Sequence, residues 1–237
     1  MHKYARQTRI LVAVDCILFG FDGQDMKILL IKRGLEPEKG KWSLMGGFIQ
    51  PNESLDDASK RVLYALTGLS DVYMEQLYTF GNPLRDPIER TLSVGYFALL
   101  DLTKFNPTLT AEYHAEWFSI HKFPSLIFDH NEIVAMARQR LRQKAATSPV
   151  IFELLPERFT IPQILLLFES IFETQFDKRN FSRKLMATGL VTKTRDKDKT
   201  TSKKGAYLYK LNKKNYQANL TKLLSIIPKG TAYLATH

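Results

Sequence analysis

The sequence predicts an α+β protein in two parts, a mixed sheet sandwiched by helices and a smaller basic domain of helices with a β-hairpin. Three observations indicate this. Apolar strands alternate with amphipathic helices through the first part, the order then changes to helix, turn, helix and hairpin, and the excess positive charge lies in the second part. We therefore predict one domain over residues 1–148 and a second over residues 149–237.

The net charge of +10 is unevenly distributed. Residues 1–156 carry 18 basic and 18 acidic side chains, whereas residues 157–237 carry 16 basic and 6 acidic ones. A neutral domain followed by a basic one is typical of a protein that binds a polyanion. The single cysteine excludes an internal disulfide framework, and the sequence has neither a signal-peptide pattern nor an apolar run near the ~18 residues of a membrane span. We expect a cytoplasmic protein that does not contact a membrane.

Local signals locate the elements of the first domain. Apolar runs predict strands over residues 9–21, 26–34, 72–81, 92–102 and 115–120. A helix is predicted from Ser54 to Thr67, because Ser54 and Asp57 form a capping-box pattern and Gly68 is placed to end it. A second helix is predicted over Glu132–Lys144, and residues 146–150 are predicted to be a linker.

The segment GGFIQPNESLDDASKRVLYALTGL, residues 46–69, carries the most specific motif. It follows the spacing Gly, five residues, Glu, seven residues, Arg-Glu-U-x-Glu-Glu-x-Gly-U, where U is bulky and aliphatic. Six residues are in register: Gly47, Glu53, Arg61, Leu63, Gly68 and Leu69. On these residues the first domain resembles the Nudix family, which implies a Nudix-like mixed sheet between helices.

Three departures from this motif predict that the domain is not an enzyme. Where the family has glutamates that bind Mg²⁺, this chain has Val62, Ala65 and Leu66. Mg²⁺ requires oxygen ligands, and apolar side chains offer none. We therefore expect no catalytic residues, no metal and no cofactor. The alternative is an ADP-ribose or nucleotide-sugar pyrophosphatase that takes its carboxylates from elsewhere.

The second domain has the order of a winged helix-turn-helix. Thr160 and Gln163 form a second capping-box pattern before an apolar helix, and Asp177 is placed to cap the helix Lys178–Ala187. Two strands over residues 190–194 and 206–211 then flank a polar loop, and a last helix is predicted over Lys213–Lys229. This order and the charge predict binding to double-stranded DNA.

The predicted DNA contacts lie on the second helix of this domain and on the hairpin. Arginine and asparagine on the helix are suited to base edges, and lysines on the hairpin to phosphates. Tyr207 either contacts a phosphate or packs. The predicted contacts are Lys178, Arg179, Asn180, Ser182, Arg183, Lys184, Lys203, Lys204 and Tyr207, with Arg195, Lys197 and Lys199 as further hairpin candidates.

A degenerate Nudix domain followed by a basic winged helix resembles the Nudix-related transcription regulators. Segments such as KWSLMGGFIQPNES and FDKRNFSRKL look close to a branch in gut Bacteroidetes that controls sugar use and includes an arabinose-responsive regulator. The resemblance implies a homodimer that binds an operator and senses a small carbohydrate, such as L-arabinose or another pentose. The alternative within this group is a regulator of NAD metabolism that senses ADP-ribose.

The effector is expected between the sheet and the helix after Gly47. The predicted effector-binding residues are Arg33, Trp42, Glu53, Arg61, Arg85, Asp86 and Arg90, with Asp129 and His130 as further candidates. A sugar would use an aromatic platform and carboxylates, whereas the diphosphate of ADP-ribose would use arginines.

Several of these residues also have a structural interpretation. Trp42 is equally consistent with the core, and Arg61 is expected to brace a loop through Glu53 rather than contact the effector. Asp86, which precedes a proline, is suited to a turn. We favour a role for Asp129 and His130 in capping the helix that follows them.

Overall fold

The computed structural model describes residues 7–104, 114–199, 204–212 and 223–227. The elements of the first domain are β1 (Leu11–Phe21), β2 (Met26–Lys32), β3 (Trp42–Ser43), β4 (Met45–Phe48), α1 (Leu55–Thr67), β5 (Tyr73–Phe80), β6 (Thr91–Asp101), β7 (Glu116–Ser119) and α2 (His130–Thr147). The strands form a seven-stranded mixed sheet of order β3-β2-β1-β6-β5, in which β4 also pairs with β1 and β7 with β2. Strands β1 and β6 are parallel along their whole length.

Helices cover both faces of this sheet. Successive side chains of a strand point to opposite faces, so Cys16 and Leu18 of β1 pack with α1. Ile17 and Phe19 point the other way and belong to the cluster that contains Leu141 of α2. The predicted arrangement of a mixed sheet sandwiched by helices is confirmed.

Helix α1 begins and ends where its local signals predict. The hydroxyl of Ser54 accepts a hydrogen bond from the backbone N–H of Asp57 at 3.1 Å, and the Asp57 carboxylate accepts one from the Ser54 N–H at 3.3 Å. Gly68 ends the helix with a φ of 68°, the left-handed region that favours glycine. The side chains of Arg61, Val62 and Leu66 are therefore held at defined positions beside β4.

The stretch predicted to be a linker, residues 146–150, is largely helical. Helix α2 runs to Thr147, three residues further than predicted, and a 3₁₀ helix follows over Pro149–Leu154. Ala145 and Ala146 at the end of α2 are buried, as are Ile151 and Leu154. The buried apolar side chains hold this stretch in regular structure, and one hydrophobic core continues from the first domain into the second.

The second domain has the predicted winged helix-turn-helix order. It contains β8 (Phe159–Thr160), α3 (Ile161–Phe172), α4 (Lys178–Ala187), β9 (Val191–Asp198) and β10 (Ala206–Leu211), with the sheet order β8-β10-β9. The capping box of Thr160 and Gln163 is present, and Asp177 caps α4 through the backbone N–H of Asn180 at 2.8 Å. Most of the predicted helix Lys213–Lys229 lies outside the described residues.

Within the part of the chain that the structure describes, no helix combines the length and the apolar character needed to span a membrane.

Candidate functional site

A cavity of about 530 Å³ lies between α1, strands β1 and β4, and the loops that follow β2 and β5. Its volume is within the range of about 300–1,000 Å³ that is usual for small-molecule sites. The cavity opens on the side of the first domain where the motif segment meets the sheet. The described geometry therefore places the candidate effector site where the sequence predicts it.

The residues that replace the family's glutamates form an apolar wall of this cavity. Val62, Ala65 and Leu66 all line it, and Val62 and Leu66 are more than nine-tenths buried. A side chain at Gly47 would place its Cβ 2.8 Å from Val62, so only glycine permits β4 and α1 to approach this closely. These groups do not fit Mg²⁺, and no cluster of three or more histidine, cysteine or acidic residues suited to a metal ion occurs among the described residues.

A buried ion-pair network borders the cavity through Arg85 and Asp15. Arg85 donates two hydrogen bonds to the Asp129 carboxylate, both at 2.8 Å, and its Nη2 lies 3.3 Å from Oδ2 of Asp15. The Asp15 carboxylate also accepts a hydrogen bond of 2.5 Å from the Ser93 hydroxyl. Although burial opposes the charge of Arg85, these partners raise its pKa. The network fixes the loop of Arg85 against the start of α2.

His130, the first residue of α2, joins the same network. Its Nδ1 accepts a hydrogen bond from the backbone N–H of Leu44 at 3.1 Å, and its Nε2 lies 3.7 Å from Oδ1 of Asp15. Accepting at Nδ1 implies that the proton of the neutral ring is on Nε2, facing Asp15. Burial lowers the pKa of His130 despite the nearby carboxylates, so the ring is neutral at pH 7.

Arg61 braces the motif loop as the sequence predicts. Its guanidinium contacts both oxygens of Glu53, at 2.8 and 2.5 Å, and donates to the carbonyl oxygen of Phe48 at 3.0 Å. The hydrogen bonds from Arg61 lower the pKa of Glu53 to about 2. Arg61 nevertheless lines the cavity, and its side chain is 38% exposed. The residue is therefore placed both to hold the loop and to meet a ligand.

Arg33 presents a second positive charge at the cavity. Its Nε donates to the carbonyl oxygens of Pro37 and Leu35, at 2.7 and 3.0 Å, and its guanidinium lies 5.0 Å from the ring centroid of Phe128. The terminal nitrogens have no hydrogen bond among those described. Phe128 has a φ of 49°, a conformation that is strained for a bulky side chain. Strain at a residue that lines a cavity is typical of a ligand site.

The structure brings together four of the seven predicted effector residues: Arg33, Arg61, Arg85 and Asp86. Trp42 does not line the cavity and instead packs edge-on against Phe118, with the ring centroids 4.9 Å apart. Arg90 donates to loop carbonyl oxygens such as that of Gly81, and Glu53 contacts Arg61 behind the wall. The Asp86 carboxylate accepts from the N–H of Ile88 at 2.9 Å, which forms the predicted turn.

The predicted capping role of Asp129 and His130 is wrong. Asp129 occupies the position before the first residue of α2, but its side chain makes no hydrogen bond to the backbone at the start of that helix, because its carboxylate is paired with Arg85. Asp15 and Phe128 are among the cavity residues that were not predicted. A lone aspartate within the apolar run RILVAVDCILF was the available signal for Asp15, whereas no local signal marks Phe128.

The exposed face of α4 carries the predicted DNA-contacting side chains. Lys178, Arg179, Asn180 and Arg183 are exposed, and Ser182 and Lys184 are half-buried. Phe181 and Leu185 are buried on the opposite face, which anchors the helix. Nη2 of Arg183 donates to the Asn180 amide oxygen at 2.8 Å, so the two side chains are oriented together.

The hairpin of β9 and β10 carries further positive charge. Lys204 and Tyr207 are exposed, whereas Lys203 lies outside the described residues. The nitrogens of Lys193 and Lys197 lie over the Tyr207 ring, and Asp196 is paired with Arg158. Lys193 was not predicted, although its alternation with Arg195 and Lys197 along a strand was a usable signal.

Comparison with known proteins agrees with both halves of this description. Residues 9–138 match the NUDIX domain, and residues 151–211 match the NrtR DNA-binding winged helix domain. The chain is 31% identical over 218 residues to the ADPR responsive transcriptional repressor NtrR of Acinetobacter baylyi, which covers 90% of this chain and 87% of that protein. It is also 34% identical over 134 residues to the ADP-ribose pyrophosphatase of Methanocaldococcus jannaschii, which covers 56% of this chain and 76% of the relative.

Solved structures of Shewanella oneidensis NrtR show the same architecture. Its complex with a 27mer DNA has a TM-score of 0.75 at 32% identity and covers 86% of this chain and 94% of that one. Its NUDIX domain complexed with ADP ribose has a TM-score of 0.50 at 34% identity and covers 57% of this chain and 90% of that one. These relatives do not support the predicted arabinose branch, because their descriptions name ADP-ribose.

A winged helix with an exposed basic helix, joined through one core to a cavity in which apolar residues replace the glutamates of the Nudix motif, defines a class of protein. That class is the DNA-binding transcription regulator with a Nudix effector domain. The chain belongs to the NUDIX family and, within it, to the regulators of the NrtR type.

Proposed function

We propose that this regulator binds ADP-ribose in the cavity beside α1, that it does not hydrolyse it, and that the bound ligand changes its affinity for operator DNA. The observation that carries the proposal is the composition of the cavity wall. Arginines remain where a diphosphate can be bound, while the positions that would hold Mg²⁺ are apolar. This is the alternative effector considered from the sequence, in place of a sugar.

The charges of the cavity support a diphosphate ligand. Arg85 is neutralised by Asp129 and Asp15, but Arg33 has terminal nitrogens available and Arg61 is partly exposed. Guanidinium groups bind phosphate oxygens through charge-assisted, two-pronged hydrogen bonds. The complex of Shewanella oneidensis NrtR with ADP ribose supports the same ligand.

The absence of hydrolysis follows from the chemistry of the α1 face. Hydrolysis of a diphosphate by this fold requires a metal to neutralise charge and to lower the pKa of the attacking water. Val62, Ala65 and Leu66 offer no ligand atoms, and the nearby Glu53 is held by Arg61. The similarity to a pyrophosphatase therefore supports the ligand and the fold rather than the reaction.

Helix α2 connects the cavity to the DNA-binding domain. His130 at its first turn lines the cavity, and Arg138 and Arg142 further along it both contact the Glu173 carboxylate. Glu173 ends α3, just before the turn that leads to α4. At 1.5 Å per residue, about 18 Å of helix separates His130 from Arg142. A ligand that displaces the start of α2 thereby acts on the helix that faces DNA.

We also propose that the regulator binds DNA as a homodimer. Winged-helix regulators match two symmetric half-sites with two copies of the recognition helix. The measurement is the mass of the complex with a selected operator duplex, which is expected to contain two chains.

Two measurements test the proposed effector. Calorimetric titration with ADP-ribose and, separately, with L-arabinose is expected to show binding of ADP-ribose alone. Chromatography of ADP-ribose incubated with the protein and Mg²⁺ is expected to show no AMP. Binding of arabinose but not of ADP-ribose would show that the proposed effector is wrong. Turnover of ADP-ribose near 1 s⁻¹, within the usual enzymatic range of roughly 1–10³ s⁻¹, would show that the proposed absence of hydrolysis is wrong.

The DNA-binding role is tested with Arg183→Ala. Loss of an arginine that contacts a base costs about 1–3 kcal/mol and relaxes the sequence preference at one position. Arg9→Ala removes an exposed arginine of the first domain and serves as the control. If Arg183→Ala and Arg9→Ala bound a selected duplex equally well, Arg183 would not be part of the DNA interface.

A further inference from the structure

The β9–β10 hairpin contains a local irregularity beside its loop. Tyr207 is opposite Lys197, but Tyr209 is opposite Lys193. The two residues from Tyr207 to Tyr209 on β10 are therefore matched by four residues on β9, which holds two extra residues at this point. The hydroxyl of Thr194 donates to the carbonyl oxygen of Leu208 at 2.9 Å and accepts from the N–H of Asp196 at 3.3 Å. The Thr194 side chain therefore satisfies backbone groups that the ladder leaves unpaired.

This irregularity changes which side chains meet. Lys197 is the residue opposite Tyr207, and Lys193 is four residues away from it. In a regular strand, at about 3.3 Å per residue, this separation would place Lys193 about 13 Å from Lys197. Here the nitrogens of Lys193 and Lys197 lie 3.3 and 4.5 Å from the centroid of the Tyr207 ring. Strand bulges commonly redirect side chains in this way. We call these three residues the Tyr207 cluster.

The Tyr207 cluster is exposed and positively charged. Tyr207 is 42% exposed, and both lysines are exposed. The neighbouring Asp196 is paired with Arg158, so its charge is offset by a basic residue outside the cluster. A ring face attracts an ammonium group, but two ammonium groups at one ring repel each other. An anion beside them removes that repulsion, which makes the cluster suited to a phosphate backbone.

We propose that Tyr207 is a positioning residue, whose ring holds Lys193 and Lys197 toward the phosphate backbone of bound DNA. The inference rests on the proposed DNA-binding function and on the phosphate contacts that the sequence predicts for the hairpin, and it adds the role of the ring. The lysines neutralise phosphate charge, whereas the hydroxyl of Tyr207 makes no required contact. Phosphate contacts of this kind position a protein on the duplex without reading its sequence.

The test measures duplex affinity against salt concentration for the full chain, with a fluorescent duplex of mixed sequence. Tyr207→Leu removes the ring and Tyr207→Phe keeps it. We expect Tyr207→Leu to bind about five- to tenfold more weakly, because two lysines must then be ordered when DNA binds, and Tyr207→Phe to bind within about twofold of the original protein. Far-UV circular dichroism and thermal unfolding verify that each variant is folded.

A second set of variants tests the lysines without altering the ring. Lys193→Gln/Lys197→Gln is expected to lower the slope of log affinity against log salt by up to about 1.8, since each phosphate contact contributes about 0.9. Lys60→Gln, an exposed lysine of α1, is the control for a change in charge. In the double-lysine background Tyr207→Leu is expected to add nothing.

The outcomes separate this proposal from the proposed function. If the original protein binds no duplex, both are wrong. If it binds and Tyr207→Leu and the double-lysine variant keep its affinity and salt slope, the cluster is not an interface, although DNA binding stands. If Tyr207→Phe is as weak as Tyr207→Leu, the hydroxyl itself makes the contact and the positioning role is wrong.

Discussion

Arg85 and Asp129 form a two-pronged ion pair across 44 residues of sequence, with Nε–Oδ2 and Nη2–Oδ1 distances of 2.8 Å each. The Arg85 side chain is 4% exposed, and that of Asp129 is 13% exposed. The pair joins the loop after β5 to the start of α2, so it links one wall of the cavity to the helix that leads to the DNA-binding domain. Its contribution to the stability of the folded protein can be measured by replacing either partner.

Arg85→Met is expected to lower the free energy of unfolding by about 3–5 kcal/mol, because it leaves buried carboxylates without a partner. Urea unfolding followed by circular dichroism measures this. The double variant Arg85→Met/Asp129→Leu removes the uncompensated charge of Asp129 and is expected to recover part of the loss. A loss below about 1 kcal/mol, as for exposed ion pairs, would contradict the buried role.

His130 is expected to make the stability of the folded protein decrease as the pH falls below about 6.5, the ordinary pKa of histidine. Burial lowers its pKa in the folded state, so as pH falls through about 6.5 the unfolded chain takes up a proton that the folded chain does not. Stability contributed by the neutral ring is therefore complete above that pH and is lost as pH falls. Four charged groups, Asp15, Asp129, Arg85 and Arg33, affect this titration.

The matched variant for this effect is His130→Gln, whose side-chain oxygen retains an acceptor for the N–H of Leu44. Between about pH 7.5 and 5.5 the original protein is expected to lose up to about 1.4 kcal/mol more stability than the variant. Denaturant unfolding at each pH measures the difference. Parallel pH profiles for the two proteins would show that His130 titrates alike in the folded and unfolded states.

Arg33→Gln is expected to weaken ADP-ribose binding by about 10- to 100-fold, because a charge-assisted hydrogen bond is worth roughly 1.5–3 kcal/mol. Calorimetric titration measures the affinity, and DNA binding without ligand is expected to be unchanged. Arg90→Gln is the control, since Arg90 also donates to loop carbonyl oxygens but does not line the cavity. Equal losses in both variants would indicate a loop effect rather than a ligand contact.

Glu173→Gln is expected to preserve DNA affinity and to reduce the change in that affinity caused by ADP-ribose. The substitution removes the charge that Arg138 and Arg142 of α2 hold at the end of α3. Glu173→Gly provides a comparison, because glycine suits the left-handed φ of 53° at this position and also lacks the carboxylate. Fluorescence anisotropy of an operator duplex with and without ADP-ribose measures the coupling, and an undiminished response in both variants would exclude the contacts of α2 with Glu173 as the connection.

Features that depend on short-range interactions could be predicted from the sequence, whereas contacts between distant parts of the chain could not. The capping boxes of Ser54 and Thr160 were predictable because each uses groups three residues apart. The Glu53–Arg61 pair spans eight residues and was predictable because both residues belong to one motif. The partner of Asp129 was not, because a carboxylate placed before a helix is also a typical capping residue, and only the fold brings Arg85 to it.

The sequence by itself determined the order of elements, the apolar face of α1 that replaces the magnesium ligands, and the concentration of positive charge in the second domain. These depend on residue type and on periodicity along the chain. The tertiary structure alone decided that Trp42 and Arg90 lie away from the cavity, that Asp15 and Phe128 line it, and that one core continues through α2 into the winged helix. Those arrangements depend on strand register and on long-range burial, which no local pattern encodes.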